Sequence, residues 1–182
     1  MKTNDLKLFE NNDFKPGGKI KIGLWYLTNT ILFKSYFFPF SSIKVVLLKI
    51  FGASVGKGIN IKPNVNIKYP WFLSIGDYSW IGEEVWIDNL GQVTIGANAC
   101  ISQGAYLLTG NHNYKRHTFD LMVNGIIIDD GVWIGAKAIV CPGVNCKSHS
   151  ILTSGSVATK DLEEYSIYQG NPATKIRDRV IN

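Results

Sequence analysis

The stretch IIIDDGVWIGAKAIVCPGVNCKSHSILTSGSV, residues 126–157, carries a repeat that determines the fold. Apolar side chains recur in it at every sixth position, at Ile128, Ile134, Val140, Cys146 and Leu152. A period of six fits neither the 3.6-residue period of a helix nor the two-residue alternation of a single strand. Short fixed repeats are typical of solenoids, in which each unit buries its apolar face against its neighbours. The spacing therefore predicts short parallel strands coiled into a triangular prism.

The same period runs through the preceding part of the chain. Apolar residues spaced by six occur at Val55, Ile61 and Ile67, then at Ile75, Ile81 and Ile87, and again at Ile95, Ile101 and Leu107. Small residues follow many of these positions, and we expect them at the corners of the prism. Glycine suits a corner because it adopts left-handed backbone angles without a Cβ penalty. We therefore place a parallel β-helix over residues 53–157.

The period breaks between Leu107 and Ile128, so the extra residues must leave the prism as a loop over 108–125. This loop contains His112 and His117, two of the three histidines. Shorter insertions occur at residues 69–72 and 89–92. Functional groups are often found on loops that a rigid scaffold positions. Insertions on a solenoid usually gather on one side, which becomes the binding face.

Composition limits the classes of function. The chain has 182 residues and a net charge of +5, but no run of five like charges, so we expect no nucleic-acid partner. The three cysteines form no CxxC pattern, and Cys146 falls on an inward position, which predicts a buried thiol. The polar, charged start, Met1 to Gly18, is unlike a signal peptide, so we expect a cytoplasmic location.

Residues 1–52 are interpreted as an N-terminal arm and a helical cap. The segment 20–52 is rich in aromatic residues, and we predict one helix before Pro39 and a second from Ser41 or Ser42, either of which would be a suitable N-cap. No apolar run reaches the ~18 residues of a membrane span. Two interpretations stay open: a cap over the end of the prism, or an interfacial surface that contacts the inner face of a membrane.

The segments SGSVATKD, residues 154–161, and GNPA, residues 170–173, together with the hexads and the histidine loop, resemble the hexapeptide-repeat acyltransferases, most closely the colanic acid acetyltransferase branch. The resemblance extends from about residue 50 to 179. It implies an all-β, left-handed parallel β-helix that assembles as a homotrimer. It also implies acetyl-CoA as the co-substrate, bound between subunits, with residues 158–182 as a tail that completes the CoA site.

The same resemblance implies the site residues. The motif TGNH, residues 109–112, matches the family's general base, which assigns that role to His112. A histidine, with an ordinary pKa near 6.5, can take the proton of a hydroxyl that attacks a thioester directly. No metal is required for this chemistry. Residues that match the acceptor site are Trp86, Asp88 and Asn89. Residues that match the cofactor site are Trp133, Ala136, Ser154, Thr159, Lys160 and Arg177. Lys175 and Arg179 are alternative phosphate contacts, because Ser154 and Thr174 depart from the residues of many relatives.

The sequence thus predicts an acetyl-CoA-dependent O-acetyltransferase that acts on a sugar hydroxyl in exopolysaccharide or capsule biosynthesis. The acceptor is a sugar or a lipid-linked oligosaccharide. N-acetylation of an amino sugar is the main alternative. Two others are a metalloenzyme of the γ-carbonic anhydrase type, since His112 and His117 are five residues apart, and a non-catalytic β-helix scaffold.

Overall fold

The computed structural model describes residues 3–9, 11 and 14–182; positions 1, 2, 10, 12 and 13 of the predicted arm lie outside this part. Within it, the chain winds into five coils of three short strands. The strands are β1 (Ser54–Val55), β2 (Asn60–Ile61), β3 (Asn66–Ile67), β4 (Leu73–Ile75), β5 (Trp80–Ile81), β6 (Trp86–Asp88), β7 (Val93–Ile95), β8 (Cys100–Ile101), β9 (Tyr106–Leu108), β12 (Ile126–Ile128), β13 (Trp133–Ile134), β14 (Ile139–Val140), β15 (Asn145–Cys146), β16 (Ile151–Leu152) and β17 (Val157–Ala158).

Three parallel sheets form the sides of the prism. Face A consists of β1, β4, β7, β12 and β15, face B includes β2, β5, β8, β13 and β16, and face C consists of β3, β6, β9, β14 and β17. The strand register aligns equivalent positions of successive coils, for example Ile81 with Ile101 and then Ile134 on face B. The predicted parallel β-helix is confirmed, and it places each side chain at a defined face and height.

The predicted inward positions form the core. Ile61, Ile81, Ile101, Ile134 and Leu152 stack along face B, and each is fully buried. Burial of one such side chain stabilises the fold by about 1.5–3 kcal/mol. Cys146 occupies an inward position on face A, as predicted, and burial raises the pKa of its thiol to about 12. A strand of only two residues is therefore stable because its inward residue packs on the coils above and below.

Glycine at a corner is required by the close stacking of successive coils. A Cβ atom on Gly76 would lie 2.5 Å from the backbone nitrogen of Ala97 in the next coil. At Gly135 the same distance, to the backbone nitrogen of Ser154, is also 2.5 Å. These approaches are shorter than a Cβ atom can tolerate, so the small residues after the inward positions set the spacing of the coils.

All three insertions leave the prism at the corner between faces C and A. A 3-10 turn, Pro70–Phe72, connects β3 to β4, and a short turn connects β6 to β7. The long loop connects β9 to β12 and contains an antiparallel hairpin of β10 (Gly110–His112) and β11 (Leu121–Val123). The histidine loop therefore lies beside the other two insertions, on one side of the molecule.

Two helices cap the first coil. Helix α1 (Lys19–Thr28) continues as a π-helical turn, Asn29–Phe33, and α2 (Ser41–Ile50) packs against β1 and β2. Trp25, Phe33 and Leu48 are buried beneath the helices, and the Trp25 Nε1 atom donates to the Ile67 carbonyl oxygen at 2.8 Å. The cap therefore covers the open end of the prism. Neither helix of the described residues is long and apolar enough to cross a membrane.

The N-cap predicted at Ser41 or Ser42 is wrong. Helix α2 begins at Ser41, and the cap position is Phe40, which has no capping side chain. The Ser41 hydroxyl instead donates to the Ile59 carbonyl at 3.0 Å and accepts from the Ile61 N–H at 2.8 Å. Those two backbone groups lie on the open edge of the first coil and need hydrogen-bond partners. They therefore bind the serine hydroxyl, which is then not used to cap the helix.

The C-terminal segment leaves the coil and returns to face B. Strand β18 (Ser166–Gly170) pairs in parallel with β16, and β19 (Ala173–Asp178) pairs antiparallel with β18. Asn171 and Pro172 form the turn between them, as the Gly-Asn-Pro sequence predicts. The tail therefore extends face B by two strands beyond the last coil.

Candidate active site

The imidazole of His112 is held in one orientation by the loop. Its Nδ1 atom lies 2.9 Å from the carbonyl oxygen of Phe119, and its ring stacks on the Phe119 ring at 4.4 Å between centroids, with 6° between the planes. A carbonyl oxygen can only accept, so Nδ1 carries the proton and Nε2 of the neutral ring has a free lone pair. Nε2 makes no hydrogen bond within the described residues, so it is available as a base.

The backbone of Phe119 explains how the loop reaches this geometry. Phe119 adopts a left-handed conformation with φ of 53°, which is uncommon for a bulky residue. The turn that contains it is closed by hydrogen bonds from Phe119 N to Arg116 O and from Asn113 N to Asp120 O. The Arg116–Asp120 ion pair, at 2.9 Å, lies across the same turn. Such strained residues persist where the surroundings determine them, and here the strain directs a carbonyl at the histidine.

The N-terminal arm lies against this loop in the same chain. The Phe9 ring is 5.8 Å from the His112 ring, and the Asp5 N–H donates to the His117 carbonyl at 2.9 Å. The side chain of His117 itself is exposed. His112 therefore lies between two aromatic rings, whereas His117 points to solvent, and the two histidines have different surroundings.

Asp88 lies at the end of β6, at the corner where the loop leaves. Its carboxylate is nearly buried and pairs with Lys68 Nζ at 2.9 Å, and it accepts a hydrogen bond of 3.1 Å from the Tyr106 hydroxyl. Burial and the neighbouring Asp88 carboxylate raise the pKa of Tyr106 to about 12, so the phenol keeps its proton. Trp86 stacks on Tyr106 at 4.7 Å on the outer surface of face C. Asp88 is thus fixed by one ion pair and one hydrogen bond.

Asn89, the third predicted acceptor residue, has no free group. It is fully buried, and its amide nitrogen donates to the carbonyl oxygens of Tyr69 and Phe72 at 2.6 Å and 3.1 Å. Its side-chain oxygen accepts from the Tyr69 N–H at 3.0 Å. In this chain Asn89 therefore holds the insertion at residues 69–72 and can influence an acceptor only through the shape of the corner.

Trp133, Ala136 and Ser154 lie on face B and at its corner with face C. Trp133 is 46% exposed, and its indole N–H donates to the Ser102 hydroxyl at 2.8 Å, which fixes the ring on the surface. Ala136 and Ser154 occupy equivalent turns of neighbouring coils, because Ile134 pairs with Leu152. Their backbone N–H groups have no partner in the part of the chain that is described. This corner therefore offers free donors beside an aromatic ring.

The basic side chains that are candidates for phosphate contacts differ in whether they already have a partner. Lys160 and Arg177 are exposed and form no ion pair among the residues described. Lys175 pairs with Glu163 and Asp178, each at 2.9 Å, and Arg179 donates to the Gly131 and His149 carbonyls. Lys160 and Arg177 are therefore the better candidates for phosphate contacts, because Lys175 and Arg179 already have partners.

The candidates form two groups within one chain. Asp88, the His112 loop, Thr159 and Lys160 lie at the carboxyl ends of the face C strands, at the corner with face A. Ala136 and Ser154 lie at the other edge of face C, and Trp133 and Arg177 lie on face B. Arg177 is three paired strands from Trp133, about 14 Å at the usual strand spacing. A single chain brings the His112 loop and Asp88 to one side and most cofactor candidates to another.

Four residues of this region were not predicted from sequence: Lys68, Tyr106, Phe119 and Phe9. Lys68 lies twenty residues, one coil, before Asp88, and Tyr106 lies twenty residues, one coil, after Trp86, so counting twenty residues from these two candidates could have found them. Phe119 and Phe9 contact His112 through loop and arm conformations that follow no repeat. No three His, Cys, Asp or Glu side chains of the described ranges lie together as metal ligands.

Comparison with known proteins gives close relatives. The chain is 36% identical over 167 residues to an Escherichia coli (strain K12) protein provisionally named as the colanic acid biosynthesis acetyltransferase WcaF, with 92% of each chain covered. It is 30% identical over 135 residues to the galactoside O-acetyltransferase of the same organism, covering 72% of this chain and 66% of that protein. No protein-family model matches the chain.

Solved structures share the fold. A hexapeptide-repeat acetyltransferase from Vibrio cholerae, solved with acetyl coenzyme A, superposes with a TM-score of 0.82 at 19% identity and covers 96% of this chain and 97% of that one. A galactoside acetyltransferase in complex with coenzyme A has a TM-score of 0.68 at 27% identity, covering 73% and 68%. The fold is thus shared over nearly the full length of the chain.

Proposed function

Because the chain belongs to the hexapeptide-repeat acetyltransferases, we propose that it transfers the acetyl group of acetyl-CoA to a sugar hydroxyl during exopolysaccharide or capsule biosynthesis. The observation that carries the proposal is the hydrogen bond from His112 Nδ1 to the Phe119 carbonyl, which leaves Nε2 as a free base. The relatives named for colanic acid biosynthesis and for galactoside O-acetylation support a sugar as the acceptor.

The reaction uses direct attack. Nε2 of His112 takes the proton of the acceptor hydroxyl as its oxygen attacks the thioester carbonyl carbon. The resulting tetrahedral intermediate collapses with cleavage of the carbon–sulfur bond, and the proton on the imidazolium neutralises the leaving CoA thiolate. The products are an acetyl ester and free CoA, and no protein nucleophile takes part. Phe119 positions the base, because its carbonyl keeps the proton on Nδ1.

The cofactor contacts follow from the surfaces that are free. We assign the pantetheine arm of acetyl-CoA to the corner of Ala136 and Ser154, whose backbone N–H groups are unpaired within the described residues, beside the exposed ring of Trp133. Lys160 and Arg177 are assigned to the phosphates, where guanidinium pairs well with oxygen atoms in a fork geometry. Thr159 adjoins Lys160 at the end of β17, at the opposite edge of face C from Ala136 and Ser154, and is assigned to the acetyl-CoA contacts that this edge supplies.

The acceptor is assigned to the corner around Asp88. The carboxylate can accept a hydrogen bond from a second hydroxyl of the sugar, while Lys68 and Tyr106 fix its position. Trp86 offers an exposed ring beside it. Asn89 keeps the corner in shape from beneath.

We further propose a homotrimer with the site between subunits. The base and most of the cofactor candidates lie at different edges of face C, so a second copy is needed to bring one edge against the other. Closed threefold symmetry suits a triangular prism with flat sides.

We also propose that the enzyme is cytoplasmic, where acetyl-CoA is available, and that the outward surface of the cap contacts the inner face of a membrane. Exposed apolar residues lie on one side of each helix: Ile20, Leu24, Leu27 and Ile31, and Ile43, Val46 and Ile50. Interfacial helices combine such a stripe with basic residues. Co-sedimentation with anionic vesicles checks this contact, with Leu24→Glu/Leu27→Glu as the variant expected to lose it.

The proposed activity is tested by incubation of the protein with acetyl-CoA and a panel of sugars, including galactosides and amino sugars. Mass spectrometry of the products should show a gain of one acetyl group. Mild hydroxylamine then separates the two alternatives, because it cleaves an ester and leaves an amide intact. An acetyl group that resists hydroxylamine overturns O-acetylation in favour of N-acetylation. No CoA release above hydrolysis with any sugar argues against the whole proposal.

A further inference from the structure

A groove of about 260 Å³ lies between the cap and face C. One wall is a line of residues four positions apart: Ile22 and Tyr26 on α1, Thr30 in the π-helical turn, and Lys34 directly after the turn. This spacing keeps them on one side of the helix. That side is distinct from the stripe of Ile20, Leu24, Leu27 and Ile31, so the groove and the outer surface of the cap are separate features.

The opposite wall belongs to the first two coils. It is formed by Asn66, Lys68, Tyr69 and Trp86, and Ile67 lies at the base. Asn66 accepts a hydrogen bond from the buried Asn29 at 2.7 Å, and its own side-chain N–H group has no partner among the residues that the structure describes. The wall therefore offers an amide donor and an ammonium group alongside aromatic rings.

The groove ends at the acceptor corner. Lys68 lines it and pairs with Asp88 at 2.9 Å. Trp86 also lines it and stacks on Tyr106, whose hydroxyl donates to the same carboxylate. A molecule bound beside Asp88 can therefore extend along face C beneath α1 without leaving the protein surface.

The chemistry of the groove matches one pyranose ring. A sugar presents C–H groups on its faces, which pack against aromatic rings such as Tyr26, Tyr69 and Trp86, and hydroxyls at its edge, which need donors and acceptors. Thr30, Lys34 and Asn66 supply these at the rim and floor. A hydrocarbon chain would leave the side-chain amide N–H of Asn66 on the groove wall without a partner, at a cost in free energy.

We infer that this groove is a second sugar subsite, which holds the pyranose next to the one that is acetylated. The inference rests on the proposed function for the identity of the first site. It defines the acceptor class as an oligosaccharide rather than a single sugar, with specificity determined in part by the cap. The residues of the cap that carry it are Tyr26 on α1, Thr30 in the π-helical turn and Lys34 directly after that turn.

Saturation-transfer NMR tests the groove without depending on turnover. The full-length protein is mixed with galactose, lactose, maltose, cellobiose and maltotriose, and saturation is measured on each ring. We expect saturation of two adjacent rings with at least one oligosaccharide. The variant Tyr26→Ala/Thr30→Ala should lose the signal of the second ring. Both side chains are exposed, so the fold should survive.

Leu27→Ala is the matched control, because Leu27 is exposed on the same helix and does not line the groove. Acetyl transfer is measured in parallel, and the double variant should raise the KM for the bound oligosaccharide about tenfold while that for a monosaccharide is unchanged, as expected when uniform binding is lost. Three results would overturn the subsite: saturation of only one ring in every sugar, no binding of any sugar in the panel, or an equal loss of signal with Leu27→Ala. Two-ring binding without acetyl transfer overturns the proposed function and leaves the groove standing.

Discussion

The Nδ1 atom of His112 and the carbonyl oxygen of Phe119 lie 2.9 Å apart, and their rings stack almost in parallel. One residue thus determines both the tautomer and the plane of the imidazole. It does so from a left-handed backbone conformation, in a turn stabilised by an ion pair and by backbone hydrogen bonds. The imidazole is therefore oriented within the loop without a bound substrate, and for the base that we propose this reduces the cost of orientation in the reaction.

Replacement of His112 tests its role as the base. His112→Ala should lower kcat/KM by about 10² to 10⁴, since general base catalysis contributes that much. This corresponds to roughly 3–5 kcal/mol of transition-state stabilisation. The melting temperature and oligomeric state should hardly change, because the loop lies outside the stacked core. Steady-state kinetics with the true acceptor provide the measurement, since hydrolysis by water does not report on the base.

His117→Ala is the matched control for that variant. Its side chain is exposed and five positions along the same loop, so a mild effect is expected. If His112→Ala retains near-full turnover, or if His117→Ala is the more damaging change, the assignment of the base is wrong.

Phe119→Ala separates orientation from chemistry. The variant keeps the carbonyl that accepts from Nδ1 but removes the ring that stacks on His112. We expect kcat to fall about tenfold, as for a catalytic group that is less well oriented, with the KM for acetyl-CoA unchanged. Phe119→Tyr retains the ring and should restore activity. A loss that appears only in thermal stability, with normal kcat, contradicts a positioning role.

Replacement of Lys160 and Arg177, the two basic candidates without an ion-pair partner among the described residues, tests the cofactor site. Lys160→Ala and Arg177→Ala should each raise the KM for acetyl-CoA more than they lower kcat, because contacts remote from the reacting carbon supply largely uniform binding. Lys175→Ala is the control, since Lys175 is already paired with Glu163 and Asp178. An unchanged KM in the first two variants, or an equal rise in the control, would show that the phosphates bind elsewhere.

Lys44 makes the stability of the cap depend on pH. Its side chain is fully buried against Phe33 and donates to the Lys62 carbonyl at 2.8 Å, and burial lowers the pKa of Lys44 to about 8. The unfolded chain, with an ordinary lysine pKa near 10.4, binds more protons between those two values, so this group makes the fold more stable as pH rises from about 8 to 10.4.

Lys44→Met should therefore raise the melting temperature near pH 7.5, where wild type must bury a charge. The difference in free energy of unfolding between the variant and wild type should shrink between pH 7.5 and pH 10. At about 1.4 kcal/mol per pKa unit, the decrease is on the order of 2–3 kcal/mol. Melting curves of both proteins at one fixed protein concentration provide the measurement. A difference that stays constant over this range means that Lys44 is not buried as a charge.

The sequence predicts the coil well because one physical constraint repeats. Each inward residue, such as Ile101 or Ile134, packs on its equivalents in neighbouring coils, so the pattern reports burial directly. The hand of the coil cannot be predicted in this way, because a left-handed and a right-handed coil have the same residue spacing. It came from the resemblance alone.

The site is harder to predict because its decisive contacts follow no repeat. Asn89 was expected to face the acceptor, but the backbone groups of Tyr69 and Phe72 use its amide. Ser41 was expected to cap a helix, but the edge of the first coil uses its hydroxyl. In both cases a distant backbone group competes for a polar side chain, and local pattern does not contain that information.

Mixing of two inactive variants tests whether the site lies between subunits. His112 lies at the corner of faces C and A, and Ser154 lies at the opposite edge of face C. His112→Ala removes the base, and Ser154→Trp should block the proposed cofactor corner without loss of folding, because Ser154 is exposed. If each site takes its base from one copy and its cofactor surface from another, trimers assembled from an equal mixture contain some sites with both halves intact. Random assembly predicts that roughly a quarter of the sites are intact.

The two variants are unfolded together, refolded together and assayed against each variant refolded alone. Light scattering measures the mass of the assembly. Recovery of about that fraction of activity supports the shared site, whereas a monomeric mass, or no recovery in a mixed trimer, means that each chain builds its site alone.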